Sequence, residues 1–452
     1  MSNDIRIKKG LDIKLKGAAE KTSEQAILSN FYTLRPEDFH GVIPKLISKV
    51  GSKVKAGEAV FYDKSNENVK FASPVSGEVI DIVRGEKRKI LSVKIQADKE
   101  QSFQDNGNFN VDAANADTVK AHLLAAGCWP FVKQRPYDVI ANPDQSPKAI
   151  FVSGYASAPL AADLDFTLQG KEAELQAAIT ALGKLTEGQV HVSVGKSSNS
   201  PLAGLSGVTL HKVSGPHPSG NVGTLINKVN PVNKGEVVWT VNAQDLVIIG
   251  ELLLTGKFNA ERVVALVGSS VEKPRYFKTK LGSEIATLIY DKGIPKDANV
   301  RIISGNVLSG KQIQPDGNLD YYSNVVSVIP EGDDYEFFGW NKPVFNKVST
   351  SRALTFSWLT PNKEYKLDTK MNGEERAYVV TGQYEAVFPF EIYPQQLVKS
   401  IMIDDVEAME ELGIYEVVEE DMALCEVVCT SKIPVQQVLR EGLDLMLKEL
   451  GD

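Results

Sequence analysis

The stretch from Val50 to Ile82 reads VGSKVKAGEAVFYDKSNENVKFASPVSGEVIDI, and it leaves the backbone few choices. Gly51 and Gly57 sit in two bends, and apolar and polar residues alternate around them. A third bend, Ser73-Pro74-Val75-Ser76-Gly77, precedes the alternating run Glu78-Val79-Ile80-Asp81-Ile82. Period-two alternation between Gly and Pro punctuation predicts short, half-buried strands. Glycine supplies the positive φ that such bends need, and Pro74 pre-sets the third one.

The order of these turns resembles the biotinyl/lipoyl, or barrel-sandwich, module, with V-G-x-x-V-x-x-G, a hairpin and S-P-x-x-G-x-V. In carrier members of that module the hairpin tip presents a lysine for lipoyl or biotin. The tip here offers Asp63-Lys64-Ser65, so Lys64 is either a modified lysine or a solvated one in a polar turn. Asn66-Glu67-Asn68 widens the tip beyond a tight hairpin, which favours the second reading.

The rest of the chain is long enough, at 452 residues, for several cores. A net charge of −8 argues against nucleic acid as a partner. Three cysteines (Cys128, Cys425 and Cys429) exclude a disulfide framework. The N-terminus has no apolar signal-peptide core, and the most apolar run, Leu246 to Leu254, is too short to span a bilayer.

Along the chain, Ile5, Ile7, Leu11, Ile13 and Leu15 alternate and predict an opening strand pair. Residues 16–40 read as a loop excursion and 101–110 as a linker. Asp117 is placed to cap a helix that Gly127 ends. From Lys148 the pattern turns to α/β. Strands are expected at 149–152, 190–194, 208–213, 237–241 and 263–267, with helices at 175–182 and 243–254, hence a mainly parallel sheet. Short strands at 276–278, 300–303 and 325–329 around a helix from Leu281 to Tyr290 suit a β-grasp-like module. Residues 331–394 are rich in aromatics and turns and resist assignment. Val435, Val438, Leu439, Leu443, Met446, Leu447 and Leu450 form one helical stripe.

The strongest candidate for chemistry is the loop Gly215-Pro216-His217-Pro218-Ser219-Gly220-Asn221-Val222-Gly223-Thr224, set between a strand and a helix. Helix N-termini attract phosphates and other anions. The spacing is not that of a dinucleotide or P-loop fingerprint, and two prolines remove donors, so a rigid turn is the equal alternative. His191 and His211 lie within strand patterns, and no histidine pair has zinc-site spacing. Cys425 and Cys429 are two thiols on one helical face, too few for an iron–sulfur cluster.

Taken in order, these landmarks resemble the NqrA family of the bacterial Na+-translocating NADH:quinone oxidoreductases. The matching segments are the 50–79 hairpin, RGEKR at 84–88, WPFVKQRP at 129–136, PKAIFVSG with PLAAD at 147–163, GPHPSGNVGT at 215–224 and ALCEVVC at 423–429. The resemblance implies a peripheral, cytoplasm-facing member of a bacterial inner-membrane complex that oxidises NADH, reduces quinone and exports Na+. Its partners would be the membrane components NqrB to NqrE and the NADH-oxidising NqrF. It implies four regions: a barrel-sandwich domain at 1–100, a Rossmann-like α/β domain at 101–270, a β-grasp domain at 271–330 and a C-terminal region at 331–452 ending in helices.

Similar flavoprotein subunits of complex I bind FMN through G-R-G-G-A-G-F-P. Here Gly127-Cys128-Trp129-Pro130-Phe131 replaces those glycines with bulk, and Ser153 to Pro159 lacks the acidic dinucleotide-binding residues. The expectation is a protein with no tightly bound cofactor and a part in quinone binding. Trp129, Phe131 and Tyr137 would supply the ring's apolar face, and Arg135 and His217 its donors, with Gly215, Gly220 and Gly223 nearby. The alternatives are an FMN- and NADH-binding dehydrogenase component, or a lipoyl or biotin carrier protein using Lys64.

Overall fold

The computed structural model describes residues 3–289, 293–294, 298–334, 336–339, 342, 344–350, 356–379 and 382–450. Over the described residues it is a multidomain α/β chain with four sheets, and with helices at its C-terminal end.

The glycine-punctuated stretch forms two small facing sheets. One has the order Phe31–Leu34, Ile90–Ala97, Gly77–Arg84, Lys53–Val54, and the other Pro44–Leu46, Ala59–Asp63, Lys70–Ala72. Gly51 and Gly57 take φ of 86° and 90°, the conformation that favours glycine. Phe61 and Phe71 are cross-strand partners within the second of these sheets, and their rings stack at 4.5 Å. At the hairpin tip, the Asp63 carboxylate accepts from the N–H groups of Ile43 and Ser65, and Lys64 stands exposed beside it.

The opening segment does not stay with this module. Asn3–Arg6 pairs in parallel with Thr209–Ser214 at the edge of the central sheet. Leu11 to Leu15 forms no strand partner for it. Leu11 and Ile13 pack on the C-terminal helices instead. Residues 16–40, expected as loop, contain the strand Glu20–Gln25, which joins a third sheet beside Arg275–Lys280. Its EKTSEQ sequence carries no apolar alternation because it is an exposed edge.

The central sheet runs Asn3–Arg6, Thr209–Ser214, Val190–Gly195, Ile150–Ser153, Val238–Thr240, Lys133–Arg135, Val139–Ile140, and its first five strands are parallel. Ile150 and Val152 face one core with the packed helices Glu172–Gly183 and Ala243–Thr255. Ala149 and Phe151 face the other side, against helix Val222–Val229. That two-sided burial explains why these strands read as continuous apolar runs. Helix Ala116–Ala125 is capped by Asn115, whose side chain accepts from the Thr118 N–H, rather than by Asp117.

Glu261–Val267 was expected to close the parallel sheet. It joins the six-stranded sheet instead, antiparallel to Arg275–Lys280 and parallel to Val325–Pro330, because a short apolar run fits either core. The helix expected over Leu281–Tyr290 is described as Ala286–Ile289, and Tyr290 lies outside the described residues. At the C-terminal end, Val435, Leu439, Leu443 and Met446 are fully buried along one face of helix Val435–Leu450. That helix packs on helices Glu419–Val428 and Pro394–Ile401.

Candidate functional site

In an open parallel sheet, ligands bind beyond the carboxyl ends of the strands. Here that edge holds a cavity of ≈ 480 Å³, lined among others by Gly154, Tyr155, Asp163, Asp165, Lys196 and Gly215. The glycine loop 215–224 leaves the sheet at this edge and leads into helix Val222–Val229.

The N–H groups of His217, Ser219, Gly220 and Asn221 are already engaged within the chain. The His217 N–H donates to Asp12 Oδ1 at 2.9 Å and the Gly220 N–H to Ser157 Oγ at 2.8 Å. The Ser219 N–H donates to Pro216 O at 3.0 Å and the Asn221 N–H to Pro218 O at 2.9 Å. Pro216 and Pro218 have no N–H to offer. Thr224 Oγ1 donates to Pro218 O, and Ser219 Oγ to Gly215 O. A Cβ on Gly220 would lie 2.6 Å from Tyr155 O, so the loop after Ile150–Ser153 sits directly on this one.

The start of the helix is covered by a carboxylate of the same chain. An added Cβ on Gly223 would fall 2.3 Å from Asp421 Oδ1 and 2.4 Å from Oδ2. Asp421 is buried in the helix Glu419–Val428. Its Oδ2 accepts from Arg135 Nη1 at 3.1 Å and from the Val418 N–H at 3.2 Å. Its Oδ1 has no hydrogen-bond partner among the described residues, and the positive end of the 222–229 helix is the compensating charge nearby. Arg135 Nη2 donates to Glu420 Oε1 at 2.9 Å, and Asn221 Nδ2 donates to Glu420 O.

Burial pushes the Asp421 carboxyl up, and Glu420 adds to this; Arg135 opposes it. Burial acts the same way on Asp138, but Lys133 and Arg135 outweigh it and hold that carboxyl at about 2. The Arg135 guanidinium is therefore enclosed by Asp138, Glu420 and Asp421.

His217 is buried, and its Nδ1 lies 3.0 Å from Ser157 Oγ. Burial lowers its pKa to about 4, against the pull of Asp12. The unfolded chain, with histidine near 6.5, takes up this proton first. The stabilising contribution is thus complete above about pH 6.5 and is lost as pH falls towards 4, by about 3 kcal/mol at most. We expect the wild-type melting temperature to drop over that window more steeply than that of His217→Gln. Parallel melting curves from pH 7 to 4 would show that the histidine takes no part.

The three rings expected to form one apolar face are divided between two cores. Trp129 and Phe131 are buried in the core shared by the barrel-sandwich and α/β modules. Trp129 Nε1 donates to Ala141 O, and its ring meets Trp239 edge-on at 5.4 Å. Phe131 stacks on Tyr321 at 5.1 Å and on Phe258 at 6.2 Å. Tyr137 lies in the C-terminal helical core, edge-on to Tyr415. Arg135 and the 215–224 loop do come together, at Asp421. Sequence reasoning passed over Asp421, Glu420, Asp12 and Ser157. The acidic triplet Glu419-Glu420-Asp421 at a helix start was the one local signal.

Compared with known proteins, the chain matches three domain families in order. These are the NqrA N-terminal barrel-sandwich hybrid domain over residues 5–98, the NqrA second alpha/beta domain over 114–258 and the NQRA C-terminal domain over 263–314. It is 37% identical over 450 residues to the A subunit of the Na(+)-translocating NADH-quinone reductase of Hahella chejuensis, covering 98% of this chain and 100% of that one. Its counterpart from Neisseria meningitidis is 36% identical at the same coverage. That of Rhodopirellula baltica is 35% identical, with 98% of each chain covered. A solved NAD+-reducing NiFe-hydrogenase chain aligns over 77% of this chain and 67% of its own length at TM-score 0.37 and 11% identity, too distant a likeness to bear on what this chain binds.

Proposed function

This chain belongs to the NqrA family of the Na+-translocating NADH-quinone reductases, and we propose that it serves that oxidoreductase complex as a peripheral component without a redox group of its own. The observation that carries this reading is the covered helix N-terminus. The N–H groups from His217 to Asn221 are bonded within the chain, and the Asp421 carboxylate lies against Gly223. A flavin or dinucleotide phosphate arriving there would meet the Asp421 carboxyl in the space it needs, and the charged form of that carboxyl adds like-charge repulsion. Bulk at Trp129 and Phe131 supports the same conclusion, since both rings are packed inside a core.

No helix of the described residues is long and apolar enough to cross a membrane. In this proposal the chain docks on the membrane components NqrB to NqrE from the cytoplasmic side. The NADH-oxidising NqrF supplies electrons, and the complex couples quinone reduction to Na+ export. Quinone reaches this chain by opening a seam rather than by filling a standing pocket. A ring approaching Arg135 must take the place of Glu420 or Asp421, with Tyr137 in the C-terminal helical core on one side of the seam and Trp129 and Phe131 in the other core.

The absorption spectrum of the purified chain tests the cofactor-free reading. We expect only the aromatic band. A flavin band near one flavin per chain would make this a dehydrogenase component instead.

A further inference from the structure

The segment RGEKR at 84–88 takes no part in the junction described above. It closes the hairpin between strands Gly77–Arg84 and Ile90–Ala97 of the barrel-sandwich module. The Lys89 N–H donates to Glu86 O at 3.0 Å, and between them Lys87 and Arg88 stand at φ of 52° and 63°. Two central residues at positive φ make the turn that Asn-Gly serves best. A lysine and an arginine are held there against their own backbone preference, which points to their side chains as the reason. Arg84, Lys87, Arg88 and Lys89 are all exposed, and none has a carboxylate partner among the described residues.

The same module displays a second row of cations with aliphatic side chains among them. From Phe39 to Gly57 the sequence has Lys45, Lys49, Lys53 and Lys55 and no acidic residue. Ile43, Ile47 and Val50 are interspersed with these lysines and are 58%, 47% and 59% exposed. Two acidic residues come near the row: Glu67 pairs with Lys45, and Glu78 stands opposite Lys53 on the neighbouring strand.

Strand Gly77–Arg84 joins the two rows. The Gly51 N–H donates to Val79 O and the Val79 N–H to Ser52 O, so the bend that carries Lys49 and Val50 lies beside the strand that runs on to Arg84. Val83 and Leu91 flank the hairpin tip at 42% and 38% exposure. Residues 41–97 hold eleven basic and six acidic residues, and Asp63, one of the six, is buried. The remainder of the chain holds 39 basic and 52 acidic residues. The barrel-sandwich module is therefore the positive pole of a negative chain.

Exposed aliphatic side chains among lysines and arginines suit the boundary of an anionic bilayer, where the apolar groups enter and the cations meet phosphate. We propose that the barrel-sandwich module contacts anionic phospholipid through the 84–89 hairpin and the 43–53 edge. This rests on the peripheral, cytoplasm-facing placement proposed above. On that side the loops of membrane proteins carry an excess of Lys and Arg, so a cationic surface fits the lipid between them and not the loops. A second copy of the same surface would meet it with like charge. The negative remainder of the chain is repelled by the lipid, which turns this module towards it.

Vesicle flotation of the full chain tests it, with phosphatidylcholine vesicles containing or lacking phosphatidylglycerol. The wild type should float with the anionic vesicles, stay behind with the neutral ones, and lose binding at high salt. The Lys87→Asn, Arg88→Gly double variant removes both cations and supplies the residues the turn prefers. It should bind about thirtyfold more weakly, about fivefold for each cation lost, and melt no earlier than the wild type. The Ile43→Ser, Ile47→Ser double variant should also bind more weakly, with its salt dependence kept. A wild type that ignores anionic vesicles would overturn the proposal, and so would a Lys87→Asn, Arg88→Gly variant that floats as well as the wild type. Assembly with the membrane components alongside the first of these results would leave the peripheral placement standing and give this surface to an acidic protein partner instead.

Discussion

Arg135→Ala should lower the stability of the junction between the α/β module and the C-terminal helices by about 3–5 kcal/mol. The substitution leaves Asp421 buried with its charge partner gone, and Glu420 loses the same guanidinium. An uncompensated buried carboxylate is costlier than a missing ion pair, so the damage should be partly repaired by removing the charge. Arg135→Ala with Asp421→Asn is therefore expected to unfold later in urea than Arg135→Ala alone. The readout is the urea midpoint followed by protease cleavage in the C-terminal helices, which reports the junction even if the modules unfold separately. A single variant as stable as the wild type would mean that Arg135 and Asp421 do not meet.

Gly223→Ala is the second large effect, about 1–3 kcal/mol of destabilisation from overpacking. Its new methyl would stand 2.3 Å from Asp421 Oδ1, and Asp421 cannot retreat without releasing Arg135 or the Val418 N–H. Gly204→Ala is the control, since nothing lies within 4 Å of a Cβ there. Equal melting of the two variants would show that the carboxylate does not occupy the helix start.

These two residues mark where sequence reasoning succeeds and where it stops. The barrel-sandwich strands were legible because Gly51, Gly57 and Pro74 encode their bends locally. The parallel strands were legible because burial on both faces makes Ile150–Ser153 and Val190–Gly195 continuously apolar. Partner choice was not legible. Glu20–Gln25 has no apolar face to announce it, and Glu261–Val267 would suit either of two sheets. The loop 215–224 was found from its glycines and its place between strand and helix. What covers it was not, because Arg135 and Asp421 are 286 positions apart. A lone arginine in an aromatic loop looks the same whether it awaits a ligand or holds two carboxylates.

The central claim is that this chain fills its own anion site, with the Asp421 carboxylate standing where a cofactor phosphate would lie. Calorimetric titration of the purified chain with NADH, and separately with FMN, tests that claim most directly. The account predicts no saturable heat for either ligand below millimolar concentration, a binding free energy weaker than about −4 kcal/mol. Micromolar affinity for either one would contradict it.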